Sequence, residues 1–198
     1  MALDLDVQDG QTPLDPDELA GLIPTHLETK ADLNDWEQTN ILAAVKWLRR
    51  GRNKDVLSEG FCRDLHEKMF GETWKWAGTF RQSDKNIGCD WTQVAVQCRN
   101  LFEDAKTWIE FGVYPPDEIA ARFHHKLVWI HPFANGNGRH ARLMADGLLG
   151  SMKQPAFTWG NGGSLVKADE VRAHYLTALR AADNRDYSLL LAFVRSTA

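Results

Sequence analysis

Residues 131–142 read His-Pro-Phe-Ala-Asn-Gly-Asn-Gly-Arg-His-Ala-Arg. Gly136 and Gly138 stand just before a helix. Glycines there let the backbone turn its amides toward one point, and the helix N-terminus adds positive potential, which together suit a phosphate. Arg139 and Arg142 are three residues apart and share a helix face. Two guanidinium forks on that face can hold more than one phosphate. His131 closes the preceding segment, one loop away from those amides, and a near-neutral imidazole is a natural base for a hydroxyl nucleophile. The residue types point to phosphoryl or nucleotidyl transfer. A Gly-Asn-Gly run also makes ordinary turns, and arginines opening a helix are often merely solvated. The chain has no G-x-x-x-x-G-K-[ST] sequence, so a P-loop is excluded, and Gly160-Asn161-Gly162-Gly163 reads only as a loop.

The elements around this stretch are helical. Asn34 to Glu37 resembles a capping box, with Asn34 as N-cap, and Ile41, Ala44, Val45 and Leu48 follow at helical spacing up to a stop near Gly51. Ser58 caps a second helix with Phe61, Leu65 and Met69 inward and Gly71 at its end. Residues 74–91 lose the helical period and predict short strands around a turn, a small hairpin. A helix from Thr92 to Phe111 stops at Gly112. Pro115-Pro116-Asp117 opens the next, with Ile119, Phe123, Leu127 and Ile130 on its core face and Pro132 ending it. Further helices are expected near Arg139–Leu149, Asp169–Ala182 and Tyr187–Val194, with a loop from Pro155 to Gly163. Residues 1–33, acidic and broken by Pro13, Pro16 and Pro24, read as an N-terminal arm, and residues 34–198 as one mostly α domain.

The chain has 198 residues, 43% hydrophobic and 25% charged, ordinary for a globular protein with its own core. Its formal charge of −4 shows no basic excess that would draw nucleic acid or an anionic membrane. No run of roughly 18 apolar residues suggests a membrane span, and the acidic N-terminus lacks the basic start of a secretory signal. Cys62, Cys89 and Cys98 form no C-x-x-C pair and read as reduced thiols, which points to the cytoplasm.

The stretch HPFANGNGRHAR resembles the signature of Fic domains, H-P-F-x-[DE]-G-N-G-R-x-x-R, departing from it at one position. The likeness extends over roughly residues 40–195: GTFRQSDKNIG resembles the family's flap hairpin and YLTALRAADNRDY its C-terminal helix. Within the family, the chain is similar to a group called mobile mystery protein B. The resemblance implies a Fic-like helical bundle with a small β-hairpin flap, and a nucleotidyltransferase, most often an AMPylase. His131 would take the proton of a target Ser, Thr or Tyr hydroxyl, whose oxygen attacks the α-phosphate of ATP as pyrophosphate leaves. Phe133 would anchor the loop. The amides around Gly136, Asn137 and Gly138 would hold the α- and β-phosphates, with Arg139 and Arg142 at the β/γ end. Lys85, Asn86, Ile87 and Gly88 of the flap would register the target backbone by strand addition. The implied partners are a hydroxyl-bearing protein and, since such domains commonly dimerise, a second copy of the chain.

The departure is Asn135, where the family usually has Asp or Glu holding Mg²⁺. An amide oxygen can ligate Mg²⁺ without contributing charge, which predicts weaker metal dependence or another nucleotide donor. Fic proteins are often inhibited by a helix bearing [ST]-x-x-x-E-[GN], whose glutamate pairs with the second motif arginine. No Ser or Thr precedes a Glu by four residues here. The nearest approach is Glu37-Gln38, with Leu33 four residues earlier, which allows a Glu37–Arg142 pair or, alternatively, a Glu37 that only completes the capping box. A second functional class stays open: a nucleotide-binding regulator with little or no transferase activity, within a toxin–antitoxin-like module.

Other clusters carry less. His124, His125, His131 and His140 lack the separations of three or four that place metal ligands on one helix face. The basic run from Lys46 to Lys54 fits a solvated helix end.

Overall fold

The computed structural model of the protein describes residues 12–50, 55–160 and 169–196. The first eleven residues of the expected arm, Gly51 and the 161–163 part of the expected loop lie outside them. Eight helices appear among the described residues: α1 (Pro16–Leu19), α2 (Lys30–Arg50), α3 (Glu59–Phe70), α4 (Val94–Glu110), α5 (Pro116–Ile130), α6 (Asn137–Ser151), α7 (Asp169–Asp183) and α8 (Ser188–Arg195).

The pair α5 and α6 forms the centre, with the most extensive helix contact in the molecule. Helix α4 covers α5, α3 supports α6, α2 lies on α3, and α7 and α8 pack together with α8 reaching α5. The apolar stripe at helical spacing explains the centre: Ile119, Phe123, Leu127 and Ile130 of α5 are all buried, as are Met144 and Leu148 of α6. One apolar cluster joins α2 to α6, including Phe61, Leu65 and Phe133. A second gathers Phe157, Trp159, Tyr175 and Leu190 between α5, α6, α7 and α8. No described helix is long and apolar enough to cross a membrane.

Local signals in the sequence set several helix ends. The Ser58 hydroxyl accepts the Phe61 N–H at 3.2 Å and opens α3. Pro115 and Pro116 open α5. Pro132 bars its neighbour from continuing that helix, and His131 turns into the left-handed region at φ 56°, ψ 61°.

Two expectations are corrected. Helix α2 does not start at Asn34. The Asp32 N–H donates to Thr29 Oγ1 at 3.1 Å and the Thr29 N–H to Asp32 Oδ2 at 2.9 Å, so the reciprocal cap sits about one turn earlier. Glu37 is thereby inside the helix and free of capping duty. The flap hairpin is not formed either: among the described residues, 75–90 show turns and no strand, and the single bridge joins Leu22 to Trp74. The backbone donors of this segment look elsewhere. Arg81 N–H bonds the Pro132 carbonyl at 2.9 Å and Cys89 N–H the Ile130 carbonyl at 3.4 Å, which laces the segment to the end of α5, while its internal backbone bonds, such as Thr79 N–H to the Trp76 carbonyl at 2.9 Å, close turns rather than a strand ladder.

Candidate active site

His131 lies at the junction of α5 and the glycine loop, 5% exposed. A bulky residue in the left-handed region is strained by roughly 1–3 kcal/mol, a cost usually tolerated where geometry serves a site. Burial pushes the imidazole pKa down to about 4, helped by the charges of Arg81 and Lys85; the nearby Val128 carbonyl acts in the opposite sense. No group meets Nδ1 in hydrogen-bond geometry. Nε2 lies 2.7 Å from the hydroxyl of Thr12. With the proton on Nδ1, beside the Val128 carbonyl, the Thr12 hydroxyl donates to Nε2.

The loop that follows is held by its own side chains. Asn137 Oδ1 accepts the Phe133 N–H at 2.9 Å and its Nδ2 donates to the Phe133 carbonyl at 2.7 Å. The Phe133 ring is fully buried and stacks on His66 at 3.7 Å between centroids. His66 in turn bridges the Asn135 carbonyl and the Gly78 N–H, at 3.1 and 3.0 Å. Gly136 turns left-handed (φ 77°) with Phe70 carbons 2.6 Å from where a Cβ would sit, so only glycine fits. Its N–H is taken by Asn135 Oδ1. Of the three amides expected to face phosphate, Gly136 is therefore already used. The N–H groups of Asn137, Gly138 and Arg139 begin α6 and have no carbonyl partner among the described residues. Unpaired N–H groups at a helix start are suited to an anion.

The two arginines differ. Arg139 Nη1 bonds Glu37 Oε2 at 2.7 Å, and Glu37 Oε1 accepts the Trp74 indole N–H at 2.8 Å. Glu37 is 4% exposed and reaches the first motif arginine rather than Arg142. Arg142 lies beside the Tyr175 and Trp159 rings, its Nε buried without a partner. Asp146, raised to about 6 by burial, takes the Trp159 indole and Phe157 backbone N–H groups and fixes the wall behind Arg142.

Asn135 suits a bound Mg²⁺ poorly. Its side-chain oxygen is neutral and already accepts from Gly136, and the buried carboxylate of Glu37 is committed to Arg139. Among the described residues no group of His, Cys, Asp and Glu side chains could hold a metal. His124, His125 and His140 instead meet Tyr175, Asp183 and the Cys62 carbonyl.

Lys85 of the expected flap is buried and clasped by Asp15 Oδ2 at 2.7 Å and Glu18 Oε2 at 2.6 Å. Ile87 is exposed, and Gly88 presses its backbone on His131, whose Cβ lies 2.7 Å from a Gly88 Cβ position. Sequence reasoning missed Arg81. Its buried guanidinium donates to the carbonyls of His131 (2.6 Å), Ser83 (2.8 Å), Ile130 and Cys89, tying the flap segment to the histidine's own backbone. An arginine between Phe80 and Gln82 carries no local signal for that role. His66 and Thr12 were missed for the same reason.

Residues 56–149 match the sequence model of the Fic/DOC family. The chain is 31% identical over 100 residues to the protein adenylyltransferase Fic of Aedes aegypti, a match covering 48% of this chain and 19% of that protein. It is 26% identical over 145 residues to the protein of the same name from Drosophila erecta, covering 71% of this chain and 26% of that protein. The chain thus spans well under a third of these relatives' length. In fold it is similar to BepC, a VirB-translocated effector of Bartonella tribocorum solved with bound AMPPNP: TM-score 0.67 and 14% identity, covering 91% of this chain and 97% of that one. These matches concern the family as a whole and do not reach the narrower group named above.

Proposed function

We propose, given that this chain belongs to the Fic/DOC family through residues 56–149, that it moves AMP from ATP onto a Ser, Thr or Tyr hydroxyl of a protein. The observation that carries this is the contact of the His131 Nε2 with a hydroxyl, one loop from three unpaired amides. Burial keeps His131 neutral across physiological pH, as a base must be. The Asn137, Gly138 and Arg139 amides and the Arg139 and Arg142 guanidinium groups hold the polyphosphate. His131 takes the hydroxyl proton, the oxygen bonds the α-phosphorus, and pyrophosphate leaves with the electron pair. Positioning and charge stabilisation do the rest. Phe133, on His66, sets the loop's height. The Lys85–Gly88 segment, which has no strand in this structure, is the surface for the target.

The poor donor set at Asn135 leaves no step to a protein-bound Mg²⁺. It also favours a second reading, a nucleotide-binding regulator with little transfer. Incubation with ATP carrying a labelled α-phosphate separates the two. Label moved to protein and lost in His131→Ala supports the transferase. Nucleotide binding without transfer, in wild type and Glu37→Gly alike, supports the regulator. A cytoplasmic location and a homodimer complete the proposal.

A further inference from the structure

The geometry points to Thr12 as an acceptor hydroxyl inside the chain, the site at which this protein modifies itself. The inference rests on the transferase reading above. Thr12 Oγ1 lies 2.7 Å from His131 Nε2 although 119 residues separate them. That is the distance at which a base receives a hydroxyl proton, and 2.6–3.2 Å is roughly the range expected of such a pair.

The contact is built rather than incidental. Pro13 confines Thr12 to extended backbone. Leu14 packs against the main apolar cluster. Asp15 Oδ2 then accepts from Lys85 at 2.7 Å and from Ser83 Oγ at 3.0 Å, and Glu18 adds a second bond to the same lysine. Further along, the Ile23 N–H bonds the Thr73 carbonyl and the Lys75 N–H the Gly21 carbonyl, so the arm is pinned on both sides of Leu22. Thr12 is thus presented on the flap surface, the side from which a target chain would approach, while remaining half-exposed.

The step balances with a nucleoside triphosphate as co-reactant. Thr12 Oγ1 loses its proton to His131 Nε2 and bonds the α-phosphorus. The bond from that phosphorus to the β-phosphate oxygen breaks, and pyrophosphate leaves. The product is a phosphodiester on Thr12 that no longer donates to His131 and adds a negative charge three residues before Asp15. The arm would then be pushed off the flap, which frees the histidine for another hydroxyl.

The test incubates the full chain, as wild type and as Glu37→Gly, with ATP labelled at the α-phosphate, followed by peptide mapping. The expected result is label on the peptide containing Thr12, lost in Thr12→Ala, kept in Thr12→Ser and absent in His131→Ala. Its first-order rate does not change with protein concentration. Circular dichroism checks that each variant is folded. Label that depends on His131 but sits elsewhere, at an undiminished rate in Thr12→Ala, overturns the acceptor assignment and leaves the transferase reading standing. A rate proportional to protein concentration overturns the in-chain step. No label in either background, with any nucleoside triphosphate, overturns both.

Discussion

Glu37 on α2 and Arg139 on α6 meet at 2.7 Å, with the Trp74 indole holding the other carboxylate oxygen. A buried ion pair contributes little net stability once desolvation is counted, but removing one partner leaves the other charge uncompensated. Its clearer consequence is to occupy the guanidinium of Arg139, a residue of the first turn of α6. Glu37→Gly is therefore expected to raise nucleotidyl transfer by about ten-fold, equivalent to roughly 1.4 kcal/mol. The check is label incorporation per unit time. An unchanged rate in an otherwise active protein would remove Glu37 from the account.

His131→Ala should lower transfer by at least about a hundred-fold, the loss typical of a general base. ATP binding, followed by calorimetry, should persist because the amides of Asn137, Gly138 and Arg139 remain. Equal transfer by this variant would show that another group takes the proton.

Asn135→Asp supplies the carboxylate missing from the loop. The expected outcome is a lower half-saturating Mg²⁺ concentration for transfer. Identical Mg²⁺ titrations for the variant and wild type would mean that position 135 does not govern the metal.

Arg81 donates to four carbonyls that have few other partners, two of them at the end of α5. Arg81→Ala leaves the buried His131 carbonyl unpaired and strips one donor from each of the others, an expected loss of about 3 kcal/mol. It should shift the urea midpoint and loosen His131 together. A midpoint within error of wild type would mean that the staple is not needed.

Acid should weaken the fold through its neutral histidines. Burial depresses His124 to about 3 and His131 and His140 to about 4, against an ordinary value of 6.5. Between those limits the unfolded chain binds protons that the native chain does not. Stability is therefore full above about pH 6.5 and falls as pH falls toward 4, by roughly 1.4 kcal/mol per histidine per pH unit. Urea unfolding at about pH 7 and about pH 5 measures the slope; a flat profile would contradict the neutral burial.

The sequence by itself determined what depends on neighbours a few residues apart. Ser58, Pro116 and Pro132 mark helix ends because caps and proline act on the adjacent backbone. The core faces of α3 and α5 follow from helical spacing, and the His131–Arg142 stretch carries the family likeness in its own order of residues. Tertiary structure decided the partners. The Thr29–Asp32 cap starts α2 before Asn34 and leaves Glu37 inside the helix, and the packing of the helices then sets it against Arg139 rather than Arg142. Residues 74–91 lose the helical period and read as a hairpin, yet the Arg81 and Cys89 N–H groups bond the chain at the end of α5 instead of a partner strand. Arg81, His66 and Thr12 act on groups that lie close only after the helices have packed, so their roles depend on free energies summed over the whole core and leave no trace in local spacing.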